Sequence, residues 1–216
     1  LAGVLDGEIL VQNHCYRADE MAMMIEMSKE FDYKITAFHH AVEAYKIADL
    51  LADEGICGAL WADWWGFKHE AYDMVPANIA IVDQARGGKG CAIVHSDDEV
   101  GIQHLNQEAA KALSAGLRAG YEISKARAIK WITSNPAKAA GILDQTGTIE
   151  IGKDADLVIW SKNPFSVYAL AEYVFIDGAE AFVRGEKQTQ PVTDFDLGII
   201  NPVSYTHLTL PTNGTV

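Results

Sequence analysis

Nowhere in this chain does an apolar run reach the roughly 18 to 20 residues that a membrane-spanning helix needs, and nowhere do lysines and arginines gather into a cluster. The first absence leaves no membrane partner to expect. The second, with 17 basic against 30 acidic side chains and a formal net charge of −13, excludes the phosphate-neutralising surface on which nucleic-acid binding depends. Cysteine is scarce too. Cys15, Cys57 and Cys91 are an odd number without CxxC spacing, which argues against a disulfide framework or a thiolate zinc site and for three small buried apolar residues. The opening "LAGVLDGEIL" has no initiator methionine and lacks the basic start and long apolar stretch of a secretory leader. An upstream portion is therefore expected to be missing, and the compartment stays open.

What is present is a core. A hydrophobic content of 49% in 216 residues is enough to build one large domain or one and a half ordinary ones. "EILVQNH" (8–14) reads as a buried strand with a polar tip, and residues 18–31 carry apolar side chains at helical spacing. "YKITAFHH" (33–40) repeats the strand, followed by an amphipathic helix over 41–55 that Gly55 terminates. "ICGALWADWW" (56–65) is a third strand, with an aromatic loop and a helix near 75–85 behind it, and "KGCAIVHSDD" (89–98) is a fourth. Helices are expected at 102–116 and 123–133, and another at "SNPAKAAGI" with Asn135 as cap, Pro136 at the first helical position and Gly141 at the end. Alternating β and α elements predict an α/β fold with a parallel sheet. After Gly147 the texture changes to short alternating strands with Gly and Asp turns, "GTIEIGKDADLVIW" and "AEYVFIDGAEAFVRG", which predict antiparallel structure. The domain boundaries are therefore placed at 1–146, 147–187 and 188–216. The last of these ends in the uncharged "NPVSYTHLTLPTNGTV" and is set aside, His207 included, as a sequence-assembly scar.

The strand tips carry the chemistry. A (β/α)8 barrel uses about 30 residues per unit and keeps its catalytic groups at the C-terminal ends of its strands. From His14 to His40 is 26 residues (40 minus 14), about one unit; from His40 to Asp97 is 57 (97 minus 40), about two. Imidazole and carboxylate are ligands for Zn²⁺ and similar ions, so three such tips on one face can converge on one ion. A single histidine at a strand end is more often a hydrogen-bonded structural group, and it is the spacing of the three that favours ligation. Alternation of strand side chains admits His40 or His39 to that face, not both. His69 and His104 fall on a loop and a helix and are given no role. The aromatic loop after the third strand is a place for substrate contact through Trp64 and Trp65, although these tryptophans, with Trp61, also suit a plain core.

"HCYRADEM", "HHAVEAYKIADLLADEG", "VHSDD", "ITSNPAKAAGI" and "GTIEIGKDADLVIW" followed by "VFIDG" resemble, in that order, the second half of the amidohydrolase superfamily. The likeness is nearest to its imidazolonepropionase-like and Xaa-Pro dipeptidase-like members and runs over roughly residues 5–187. It implies the C-terminal half of a (β/α)8 TIM barrel followed by strands of a small β-sandwich. By the same resemblance His14 and His40 are metal ligands at the fifth and sixth strands, and Asp97, ending the eighth, is both ligand and catalytic proton shuttle. His95 shares the face of Asp97 as a substrate contact. The implied reaction is hydrolysis of a C–N bond in an amide, cyclic amide or dipeptide-like small molecule, with one or two divalent ions, foremost Zn²⁺, in the intact enzyme. The superfamily also carries an HxH pair on its first strand, and no HxH occurs in this sequence. The expectation is thus a fragment of an enzyme, inactive by itself, with homo-oligomers allowed. A non-catalytic half-barrel and a metal-dependent lyase or isomerase on the same fold remain as alternatives.

Overall fold

The computed structural model describes residues 1–185. Four parallel strands, β1 (Val11–Cys15), β2 (Ile35–His40), β3 (Cys57–Leu60) and β4 (Cys91–Val94), stand side by side in chain order. After a short α1 (Ala2–Leu5), the crossovers run through α2 (Ala18–Glu30), α3 (Ala48–Glu54) and α4 (Asn78–Gly88), and α5 (Leu105–Arg118), α6 (Lys125–Ala128) and α7 (Ser134–Ala140) follow β4. The α/β fold with a parallel sheet expected from the alternating pattern is what forms. Both faces of the sheet are covered, which explains why its strands read as apolar runs rather than alternations. Phe38, Leu60, Ala92 and Val94 face a large core shared with Met21, Ile25, Leu51, Ile79 and Trp131. Ala37, Cys57, Ala59, Cys91 and Ile93 face the other way and pack with Ala139 of α7. Phe38, Met21, Ile25 and Leu51 are essentially inaccessible, and each such side chain contributes about 1.5 to 3 kcal/mol relative to exposure.

Local signals acted where geometry demanded them. Gly55 and Gly141 close α3 and α7 at φ 68° and 76°, left-handed values that a Cβ disfavours. Asn135, expected to cap α7, does something else. The helix starts at Ser134 behind Thr133, without a side-chain cap, and the Asn135 amide donates instead to the Ala92 carbonyl at 2.7 Å, tying α7 to β4. The helix expected over 41–55 is shorter: a 3-10 turn at Ala44–Lys46 precedes α3.

Two covalent or ionic ties were not foreseen. Cys57 and Cys91 form a disulfide, with Cα atoms 4.5 Å apart, because parallel register sets them opposite each other on β3 and β4. Their expected reading as free apolar thiols is corrected; an odd cysteine count excludes neither one bridge nor one leftover. Cys15 is that leftover, buried and free as expected, and burial raises its thiol pKa. Asp83 of α4 is fully buried, takes the Arg127 guanidinium on both oxygens at 2.9 Å and accepts Trp131 Nε1–H at 2.8 Å. This network holds α4 to α6 and to the 3-10 turn Ile129–Ile132.

Strands β5 (Leu157–Trp160), β6 (Ala171–Ile176) and β7 (Ala179–Val183) make a separate antiparallel sheet. The β6–β7 loop is Asp177–Gly178, both at positive φ (51° and 76°), as a two-residue type I′ hairpin requires. Residues 148–152, expected as strand, do not form one: a bend at 148 and irregular backbone lead into a turn at 151–152. The segment 188–216 lies outside the described residues.

Candidate functional site

At the C-terminal ends of β1, β2 and β4 four imidazoles meet. Parallel register pairs His14 with His39, so both leave the sheet on the face away from the main core, and their rings stack at 5.0 Å between centroids. By alternation His40 belongs to the opposite face. It does not go there, because His40 and Ala41 take φ of 64° and 39°, turning the chain so that the His40 ring meets His14. The two rings contact through His14 Nδ1 and His40 Nε2 at 2.8 Å. Asp97, also at positive φ (55°), brings Oδ2 to 3.7 Å from His40 Nδ1. Left-handed backbone at non-glycine residues costs on the order of 1 to 3 kcal/mol each and clusters at functional sites.

His14, His40 and Asp97 are therefore brought together, with His40 between the other two. The expected exclusion of His39 is corrected: it stacks on His14 and its Nε2 meets Gln12 Oε1 at 2.7 Å. Alternation failed as a criterion because the strand ends at His40 itself, where the backbone leaves extended geometry. His95 closes the group, 5.4 Å from His40 and 5.8 Å from His39 between ring centroids, and its amide continues the sheet by bonding Leu60 O. Trp64 stacks on Trp61 at 5.5 Å, one ring removed from the histidines. Trp65, 60% exposed, donates Nε1–H to Tyr72 O and makes no ring contact with the histidines. The tryptophan that touches the histidines is Trp61, 4.7 Å from His40 and 5.5 Å from His95. Tyr16 stacks on His40 at 4.8 Å and Lys68 donates to the Tyr16 hydroxyl. None of these three was expected at the site. Tyr16 had one signal, two residues beyond His14 on the same polar tip.

Burial keeps His39, His40 and His95 neutral. Burial pushes His40 down to about 4, Asp97 opposing in part; burial first, then His40 and His39, push His95 down to about 3. His39 is lowered as well, again by burial first. Neutral imidazole is the ligating form, with a lone pair for a cation. His40 Nδ1 and His95 Nε2 are buried without a hydrogen-bond partner, an arrangement that costs about 1 to 3 kcal/mol per group unless something binds there. Among the described residues no three His, Cys, Asp or Glu side chains already surround one point; His40 addresses His14 and Asp97 with opposite ring nitrogens. The donor set suits a borderline divalent ion in its chemistry: neutral nitrogen, a carboxylate and unpartnered buried nitrogens.

Comparison with known proteins gives this site a family setting. The model of the Amidohydrolase family matches residues 83–192, just over half of the chain. Amidohydrolase tasK of Hapsidospora irregularis is 32% identical over 209 residues, covering 90% of this chain and 20% of that protein. Imidazolonepropionase of Brucella suis is 55% identical over 40 residues, 18% of this chain and 10% of that protein. The crystal structure of an amidohydrolase from Thermotoga maritima MSB8 superposes with a TM-score of 0.75 at 32% identity, over 85% of this chain and 46% of that one. The chain thus spans a fifth of the length of the first relative and under half of the solved structure.

Proposed function

This chain belongs to the amidohydrolase family, and from that premise we propose that the protein hydrolyses a C–N bond in an amide, cyclic amide or dipeptide-like small molecule, with β1 to β4 as four of eight strands of a (β/α)8 barrel and β5 to β7 as part of a small β-sandwich. The observation that carries the reading is the meeting of His14, His40 and Asp97 at the C-terminal strand ends, where barrels of this class place catalytic groups. In this reading His14 and His40 hold a divalent ion, Zn²⁺ foremost, and Asp97 shares in holding it. When bound, such an ion lowers the pKa of water toward neutrality and polarises a carbonyl.

The chain's own residues supply the rest. Asp97 is half exposed, at 47% of its side chain, so its carboxylate reaches both the buried imidazoles and the solvent side. There it takes a proton from water at Oδ and returns it to the leaving nitrogen, as general base and then general acid. His39 and His95 wall the site. Their contacts hold the His14 and His40 rings in place, as partners behind a ligand do.

The test is a metal assay joined to turnover. The intact enzyme, with the barrel strands that this chain lacks, and its Asp97→Asn and His14→Asn/His40→Asn variants are analysed for zinc and manganese and assayed on a panel of amides, cyclic amides and Xaa-Pro dipeptides. The expected result is metal lost with the histidines, and turnover lowered about 10²- to 10⁴-fold in Asp97→Asn, the usual worth of a positioned acid–base group. Unchanged turnover in both variants refutes the assignment.

A further inference from the structure

Among the described residues, the cation beside the histidine cluster has no carboxylate partner, in a chain whose net charge is −13. Arg17 is bound to Asp19 at 2.8 Å, Lys46 to Glu43 at 2.7 Å and Lys111 to Asp63 at 2.9 Å. Lys68 differs. Among the described residues no carboxylate lies within 4.0 Å of its ammonium, which donates to the Tyr16 hydroxyl and sits 4.4 Å from the Tyr16 ring centroid, 5.4 Å from that of Trp61 and 5.1 Å from that of Phe67. Tyr16 and Trp61 are the same rings that lie against His40, at 4.8 and 4.7 Å. The ammonium is thus one ring away from the proposed reacting centre.

Donors exceed acceptors at this wall. An ammonium carries three N–H donors and no acceptor, and one phenol oxygen uses one of them. The Trp61 indole N–H, a donor only, is buried with no acceptor. Ring faces attract a cation but do not neutralise it. A half-buried ammonium at the site with no carboxylate among the described residues, beside an unused indole N–H, is placed to receive an acceptor-rich anion from outside.

We propose that Lys68 is the specificity-determining residue of the site and receives a carboxylate of the substrate, so that the protein selects amides bearing a carboxylate over neutral ones. This rests on the amide-hydrolysing reading given above. It goes beyond that reading in naming the substrate's charge and the group that senses it.

The test separates the two claims. Tryptophan fluorescence, to which Trp61 and Trp64 contribute at this wall, is titrated with N-acetylglycine and with its neutral counterpart N-acetylglycinamide. The protein as purified is compared with Lys68→Met and Lys68→Arg. The expected outcome is that the acid binds about tenfold or more tightly than the amide, the worth of a hydrogen bond to a charged group. Lys68→Met should remove that preference and Lys68→Arg should keep it. Equal binding of both probes to the starting protein, or a loss in Lys68→Met that is the same for both, overturns the inference, since a purely structural clasp would affect the two alike. Turnover is then read on a paired acid and amide substrate. Lys68→Met should raise KM for the acid about tenfold or more while kcat changes little. If the intact enzyme, with the remaining barrel strands present, hydrolyses no amide, the functional reading fails, and the fluorescence difference still decides the role of Lys68.

Discussion

At the residue scale, the sharpest energetic feature lies outside the site. Asp83 is wholly buried with its charge met by Arg127 and its Oδ1 also bonded to Trp131. Removing one partner of a buried pair leaves an uncompensated charge and costs about 3 to 5 kcal/mol, whereas removing both charges is far less costly. Arg127→Met is therefore expected to lower stability by about that amount in urea denaturation, and Arg127→Met/Asp83→Asn to recover much of it. No recovery in the double variant would mean that the guanidinium matters through its bonds to the Gly88 and Asp83 carbonyls rather than through charge. The sequence showed none of this, because the partners lie 44 residues apart and neither sits at a strand tip. It did show His14, His40, His95 and Asp97, since a polar residue at the end of an apolar run is visible in one dimension. Trp61 and Lys68 were not visible in that way: a loop side chain that reaches back to a strand end leaves no periodicity.

At the element scale, the strands and most helices were legible because each core-facing run is bounded by a turn signal, as at Gly55 and Gly141. Side-chain pairing between strands was not legible, since parallel register depends on crossover geometry. The Cys57–Cys91 bridge is the case in point. It joins β3 to β4 across 34 residues of sequence, and in the chain-entropy account a loop of that length contributes roughly 3 to 4 kcal/mol by constraining the unfolded state. Thiol titration of the denatured protein should find one free group, Cys15, before reduction and three after it. The urea midpoint should fall on reduction, and Cys57→Ser/Cys91→Ser should match the reduced protein. Three free thiols without reductant would show that the strands are held by packing alone.

At the scale of the whole molecule, what matters is where the parallel sheet stops. The order β1-β2-β3-β4 leaves β1 and β4 as its outer strands. On β4 the Ala92 carbonyl is bonded by Asn135. On β1 the Val11 amide bonds Lys34 O and Cys15 O accepts from Ala41, so the odd residues address β2, and the amides of Gln12 and His14 point outward. An outward ladder of this kind templates pairing with another chain. The 216-residue chain is therefore expected to associate, with a mass by light scattering that rises with concentration. Gln12→Pro is the discriminating variant. Proline removes one outward N–H, keeps an extended φ and is tolerated on an edge strand; the backbone bonds from β1 to β2 are kept, and the side-chain bond of Gln12 to His39 is lost. It should lower association and leave the far-ultraviolet circular dichroism unchanged. A monomeric mass at every concentration would show that the edge is closed off in solution. Association unchanged by Gln12→Pro with the fold intact would move the contact away from β1, to exposed apolar side chains such as Ile149 and Ile151.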